Sequence, residues 1–173
     1  MEEAGKVSGS DNDGEIGIRR QKAEKEIPAY GLGLADAVRG YFPGKKQDIR
    51  TYSPLTLAYV GDAVYDLIIR TIVVERANRP ANELHRCTIK YVSANAQSKI
   101  VQALMEDLTE EEQAVFRRGR NAKPHTIAKN ASVADYMRAT GFEAVLGYLY
   151  LTDNMQRVLE LVKKGAALIE ELS

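Results

Sequence analysis

The stretch from Ser53 to Arg70, SPLTLAYVGDAVYDLIIR, decides the fold that we expect for this chain. Ser53 followed by Pro54 indicates a helix start, because serine caps a first turn and proline at the first helical position loses no hydrogen bond. Apolar residues then lie in nearly every direction around a 3.6-residue wheel as far as Val74, which predicts a helix buried on most sides. One polar stripe interrupts this pattern: Asp62, Asp66 and Arg70.

Asp62 is the unusual residue of this helix. Asp66 and Arg70 are four residues apart, which is the spacing of an ion pair within a helix. No such partner remains for Asp62. Gly61 beside it costs about 1 kcal/mol relative to alanine in a helix interior. A glycine at this place therefore indicates either a metal site at the carboxylate or a closely packed backbone.

Composition limits the classes of protein to which the chain can belong. Its 173 residues contain 24 Lys and Arg and 24 Asp and Glu, so a polyanion site must be a local patch. The single cysteine, Cys87, excludes an intramolecular disulfide and a cysteine-rich zinc site. No apolar leader or long apolar run is present, and we therefore expect a cytoplasmic protein.

The N-terminal region differs in composition from the rest of the chain. Residues 1–26 have too few apolar side chains to offset the entropy of ordering, so residues 1–47 are expected to form a largely disordered tail. Within it, residues 32–42 have the pattern of a short amphipathic helix that ends before Pro43-Gly44. Residues 48–173 are expected to form one domain.

Helical signals continue to the end of the chain, and no stretch has the pattern of a strand. Thr109 and Glu112 form a capping box, which opens a short helix expected to run through Phe116. Further helices are predicted over residues 81–92, 94–106, 133–151 and 155–172. The predicted fold is an all-α bundle of tightly packed helices.

A basic segment follows Phe116. Residues 117–130 contain no acid and five basic side chains: Arg117, Arg118, Arg120, Lys123 and Lys129. Gly119, Asn121 and Pro124 favour a loop here. The segment is interpreted as a phosphate-binding loop, with a merely solvated basic loop as the alternative.

Glu143 is the second carboxylate of interest, because it also lies among small residues in a mainly apolar helix. A buried carboxylate needs a partner. Asp62 and Glu143 could be core acids, each hydrogen-bonded to a helix end or paired with an arginine such as Arg70 or Arg138. They could instead hold Mg²⁺, which prefers one or two carboxylates together with substrate phosphate and would support phosphodiester hydrolysis.

Three ordered motifs carry a resemblance to a known family: LAYVGDAVY at residues 57–65, RRGRNA at 117–122 and ATGFEAVLGYLYL at 139–151. Together they resemble the ribonuclease III catalytic domain, and most closely its small bacterial form, Mini-ribonuclease III, which lacks the double-stranded-RNA-binding domain. The resemblance implies an all-α endonuclease, a homodimer and Mg²⁺-dependent cleavage of double-stranded RNA. It also implies maturation of the ends of 23S ribosomal RNA with the help of a ribosomal protein.

The same resemblance assigns individual residues. The catalytic aspartate of the family falls on Asp62, and the metal-binding glutamate falls on Glu143. Two further acids of the larger ribonuclease III enzymes fall on Ala58 and Thr140, where this chain has none. That departure leaves the number of metal ions open.

Two other functions remain as hypotheses. The missing acids at Ala58 and Thr140 would also suit a non-catalytic module for double-stranded-RNA binding or ribosome assembly. A small all-α phosphohydrolase that acts on nucleotides is the third reading, although no His-Asp metal cluster supports it.

Overall fold

The computed structural model describes residues 33–45, 47–122 and 132–171, with only the backbone for Glu171. Every regular element within these ranges is helical, as predicted, and no strand occurs in them. A 3-10 turn covers Ile49–Thr51, and the α-helices are α1 Leu34–Tyr41, α2 Pro54–Arg76, α3 Ala81–Val92, α4 Ala94–Leu104, α5 Glu110–Arg120, α6 Val133–Leu151 and α7 Met155–Glu171. The expected tail up to residue 32 lies outside the described residues.

The local start signals act as the sequence predicts. Ser53 Oγ accepts a hydrogen bond from the Thr56 amide at 3.1 Å, and Pro54 opens α2. At the start of α5, Thr109 Oγ1 accepts from the Glu112 amide at 3.2 Å, and the Glu112 carboxylate accepts from the Thr109 amide at 2.9 Å. Both caps satisfy amides that have no partner within their own helix.

Helix α6 lies at the centre of the bundle and packs against α2, α4, α5 and α7. It is apolar nearly all round, as a helix must be when neighbours cover most of its sides. Its fully buried side chains include Phe142, Val145 and Leu146. The core therefore fixes the buried part of α6 relative to the surrounding helices.

The closest helix contact in this core is the crossing of α2 and α6 at Gly61 and Gly147. A Cβ atom on Gly61 would overlap the Glu143 carbonyl oxygen, and one on Gly147 would overlap the Leu57 carbonyl oxygen. The two backbones touch without intervening side chains, since only glycine leaves room for this approach. Gly61 is thus explained by close backbone packing, one of the two alternatives left open by the sequence.

The end of α5 differs from the expectation. The sequence predicted a helix through Phe116 followed by a loop, but α5 continues to Arg120, and Asn121 is its C-terminal cap. Gly119 is a packing residue, because a Cβ there would lie 2.8 Å from the Ala144 Cβ and 2.9 Å from the Gly141 Cα of α6. The predicted loop boundary was therefore wrong, and Arg117, Arg118 and Arg120 occupy the last helical turn.

Helix α2 also differs from the expectation, because it is not buried on most sides. Tyr59, Leu67 and Val74 are exposed by 81%, 59% and 52%, and Tyr59 and Leu67 line one groove together with the exposed Asp62. The apolar residues of α2 thus form two surfaces. One packs in the core, and the other is exposed to solvent in the single chain. Helix α4 is shorter than predicted and ends at Leu104, whose carbonyl accepts from the Asp107 amide at 2.9 Å. None of the described helices has the length and apolarity needed to cross a bilayer.

We predict that Gly147→Ala lowers the free energy of unfolding by about 3 kcal/mol, because the new methyl group meets main-chain atoms that cannot rotate away. Urea unfolding followed by circular dichroism measures the change. Gly44→Ala is the matched control, since no atom lies within 4 Å of a Cβ at that position. Equal stabilities of the two variants would contradict the close crossing.

Candidate active site

The crossing of α2 and α6 brings together the two carboxylates identified in the sequence. Asp62 follows Gly61 on α2, and the backbone of Glu143 on α6 is the surface that Gly61 contacts. Asp62 is exposed whereas Glu143 is half-buried, so one carboxylate faces solvent and the other lies behind it. Asp62 and Glu143 are 81 residues apart in the sequence, and one backbone contact thus brings them together.

The electrostatics of Glu143 include the charge of Asp62. Burial is the main cause that raises the pKa of Glu143 to about 7, and the negative charge of Asp62 raises it further. A hydrogen bond from Gln97 opposes both effects by stabilising the ionised form. The pKa of Asp62 is also raised, first by partial desolvation of the carboxylate and then by the charge of Asp66.

The arginines that could have neutralised these carboxylates are paired elsewhere. Arg70 forms its ion pair with Asp66, one turn away on α2. Arg138 binds Asp135 at 2.9 Å and Ser98 Oγ at 2.7 Å. Within the described residues, neither Asp62 nor Glu143 forms a salt bridge, so the paired-arginine alternative was wrong for these two partners.

These two carboxylates fit a divalent cation that is completed by substrate and water. Two close carboxylates without a cationic partner repel each other, and a divalent ion removes that repulsion. Across the described ranges, no group of three or more His, Cys, Asp or Glu side chains could enclose a metal by itself. A site of this kind suits Mg²⁺, which keeps several waters and commonly uses one or two carboxylates together with phosphate oxygens.

Gln97 is a residue of the site that the sequence did not reveal. It lies on α4, is 2% exposed, and its Nε2 donates to Glu143 Oε1 at 3.0 Å. A glutamine in an amphipathic helix normally faces solvent, so its type and position gave no signal. Only the packing of α4 against α6 shows that it reaches the site.

Ala58 and Thr140, the two positions at which the resemblance leads to an acid that this chain lacks, lie in the core. Ala58 is buried in the hydrophobic cluster, and the Thr140 hydroxyl donates to the Tyr136 carbonyl at 3.0 Å. Neither position supplies a carboxylate.

The basic residues begin at the end of α5. Arg118 donates to the Tyr52 carbonyl at 3.1 Å, which places its guanidinium beside the start of α2. Arg120 lies over the Phe116 ring, 5.9 Å from the ring centroid, and Arg117 is exposed. Lys123 and Lys129 lie outside the described residues. The described part of the basic segment therefore carries three positive charges next to the two helices of the crossing.

The raised pKa of Glu143 predicts how its removal changes stability with pH. Between pH 4.5 and about 7, the folded protein holds a proton that the unfolded chain has released, so folding stability falls as pH rises through this window. Glu143→Gln removes this ionisation and should raise the free energy of unfolding at pH 8 by about 1–3 kcal/mol. It should give no such gain at pH 4.5.

Urea unfolding in EDTA at the two pH values measures this difference. A variant that is no more stable than the wild-type chain at pH 8 would show that Glu143 is not held in an unfavourable environment.

Comparison with known proteins shows the family to which the chain belongs. The Ribonuclease III domain family matches residues 55–154. Proteins named Mini-ribonuclease 3 are similar over most of their length: that of Clostridium tetani is 48% identical over 79% of this chain and 93% of its own. That of Enterococcus faecalis is 49% identical over 67% and 89%, and that of Staphylococcus aureus is 43% identical over 71% and 93%.

A solved structure extends the similarity to the fold. The crystal structure of protein FN1578 from Fusobacterium nucleatum superimposes with a TM-score of 0.65 at 30% identity. The match covers 74% of this chain and all of that one. The chain therefore belongs to the ribonuclease III family of endoribonucleases.

Proposed function

We propose that this protein cleaves double-stranded RNA by Mg²⁺-dependent phosphodiester hydrolysis at Asp62 and Glu143. The observation that carries the proposal is the meeting of these two acids at the crossing of α2 and α6, where neither forms a salt bridge with a basic side chain of the described residues. The raised pKa values of both acids also support a functional site, because structural acids are normally paired and have lowered pKa values.

In this proposal, Asp62 on α2 and Glu143 on the more deeply buried α6 are the residues that would hold the ion. When bound, Mg²⁺ would supply an acidified water and would neutralise charge at the scissile phosphate. The chain's own part is to fix the two carboxylates on rigid helices, since their backbones are in contact at Gly61. Pre-organisation of this kind lowers the cost of assembling the site for each turnover.

The basic residues are proposed to contact the RNA backbone. Double-stranded RNA presents phosphates and 2′-hydroxyls more readily than base edges, so cations along one surface can bind it by shape. Arg117, Arg118 and Arg120 lie together at the end of α5, and Lys123 and Lys129 continue the same basic segment. A cationic C-terminal turn is also favourable for α5 itself.

We predict that Asp62→Asn lowers kcat for cleavage of a precursor ribosomal RNA stem by about 10²–10³-fold, because one of two metal-holding carboxylates is lost. Cleavage of an end-labelled stem in Mg²⁺, with EDTA as the blank, measures the effect. Asp107→Asn is the matched control, since Asp107 pairs with Lys164 at 2.6 Å and does not contribute to the pKa shift of either Asp62 or Glu143. Full-rate cleavage by Asp62→Asn would overturn the proposal, whereas binding without cleavage by the wild-type chain would favour the non-catalytic RNA-binding alternative.

A homodimer is part of the same proposal, and the exposed face of α2 is the surface that supports it. Tyr59, Ala63 and Leu67 line an apolar groove of about 440 Å³, and Leu34 of α1 closes one side. An apolar surface of this kind, rimmed by polar residues, is typical of an interaction site. Asp62 also borders the groove, so a twofold partner there would set two active sites beside one interface, matching the two strands of the substrate.

We predict that Tyr59→Asp converts the protein from twice the single-chain mass to the single-chain mass in sedimentation equilibrium, because a carboxylate would be buried in an apolar interface. Ile89→Asp is the control, since Ile89 is an exposed apolar residue of α3 that does not line the groove. A wild-type chain that sediments as a monomer, or a Tyr59→Asp variant that remains dimeric, would contradict this interface.

The narrower parts of the proposal follow from the resemblance of the motifs. We expect the ends of precursor 23S ribosomal RNA as substrate, a large-subunit ribosomal protein as helper, a cytoplasmic location and a catalytic domain over residues 48–173. Comparing cleavage of a 23S precursor stem with that of an unrelated duplex of equal length tests the substrate preference.

A further inference from the structure

Gln97 connects three helices through one buried amide. Its Nε2 donates to Glu143 Oε1 on α6 at 3.0 Å and to the Val92 carbonyl at the end of α3 at 3.1 Å. A primary amide has two N–H groups, and both are used here. The glutamine side chain therefore ties the half-buried carboxylate of Glu143 to a main-chain atom that cannot rotate.

The orientation of this amide is fixed by its surroundings. Turning the amide over would place its carbonyl oxygen against two acceptors, Val92 O and Glu143 Oε1, and would lose both hydrogen bonds. In the observed orientation Gln97 Oε1 is buried and has no hydrogen-bond partner among the described residues. A buried carbonyl without a partner destabilises a fold, so an aliphatic side chain would suit the core better. The two N–H groups, and not packing, account for a glutamine here.

Helix α4 holds Gln97 firmly in place. The main-chain N–H of Gln97 donates to the Ser93 carbonyl at 2.9 Å in the first turn of α4, and Ser93 caps that helix. The next residue, Ser98, is fully buried and accepts from Arg138 Nε at 2.7 Å, which joins α4 to α6 five residues before Glu143. Hydrogen bonds of two adjacent residues, Gln97 and Ser98, thus join α4 to α6 and set the distance between Gln97 and Glu143.

We propose that Gln97 is a positioning residue of the active site, which holds Glu143 Oε1 so that Oε2 is the oxygen presented to the divalent cation. This inference rests on the proposed function and adds one residue to it. Within the described residues, Glu143 Oε1 is the oxygen that accepts from a protein donor, and Oε2 has no such bond. Outer hydrogen bonds to ligating carboxylates orient them in this way at metal sites.

The first test measures binding of the metal alone. Titration calorimetry with Mn²⁺ on the full chain, without RNA, should show affinity about 10–100-fold weaker for Gln97→Leu than for wild type. In cleavage assays at saturating Mg²⁺, kcat for the RNA stem should fall while KM for RNA stays unchanged, because Gln97 acts through Glu143 and not through the RNA. Thermal melting of both proteins shows that the compared samples are folded.

Gln113→Leu is the matched control for a purely structural amide. The Nε2 of Gln113 also donates to two main-chain carbonyls, Met105 at 3.1 Å and Leu108 at 3.2 Å, but to no carboxylate. It should keep wild-type Mn²⁺ affinity. Equal losses in Gln113→Leu and Gln97→Leu, or wild-type affinity and kcat in Gln97→Leu, would overturn the role of Gln97.

A second measurement uses the wild-type protein alone, so it does not depend on whether a variant folds. In ¹⁵N-labelled wild-type protein, the side-chain amide signal of Gln97 should shift when Mg²⁺ is added, because the carboxylate that accepts its hydrogen bond through Oε1 binds the cation through Oε2. A signal that does not respond while Mg²⁺ binds overturns the inference. Failure of the wild-type chain to cleave RNA would instead overturn the proposed function, so the two failures are distinguishable.

Discussion

The backbone contact between α2 and α6 at Gly61 and Gly147 is the constraint on which the rest of the structure depends. It needs two residues without side chains, one from each helix, and it sets Asp62 and Glu143 beside each other. Since α6 is surrounded by α2, α4, α5 and α7, the backbones that carry the two carboxylates cannot separate unless the core opens. The same contact thus determines both the packing of the bundle and the geometry of the site.

The distribution of charge around this contact is unfavourable for folding by itself. Arg70 and Arg138 each bind a different acid, whereas the Glu143 carboxylate is desolvated and is repelled by the charge of Asp62. A sequence selected only for stability would place a neutral or basic residue at one of these two positions. Local choices that cost stability are expected mainly at functional sites. The chain belongs to the ribonuclease III family of endoribonucleases, and we propose that this pair of carboxylates is its catalytic site.

The sequence predicted the parts of the structure that depend on local chemistry. The cap at Ser53 and the capping box at Thr109 gave correct helix starts, because both use hydrogen bonds within four residues. The sequence could not show that Gly119 packs against α6, since a glycine has the same local signal in a loop as at a helix contact. The α5 boundary was therefore placed too early.

Tertiary contacts explain the remaining differences. Asp62 and Glu143 were identified as candidates from their small neighbours, but their meeting depends on a crossing that no spacing in the sequence encodes. Gln97 was missed because its role depends on burial against α6. The exposed face of α2 was missed because apolar residues give the same pattern whether they face a core or the surface of a single chain.

The most direct test of the central claim is a crystal structure of the wild-type protein grown with Mn²⁺, with anomalous scattering used to locate the metal. We predict an anomalous peak within coordination distance of carboxylate oxygens of both Asp62 and Glu143, since oxygen ligands that suit Mg²⁺ also suit Mn²⁺. A peak bound to only one of these carboxylates, or a metal held elsewhere while the pair stays vacant at saturating Mn²⁺, would contradict it.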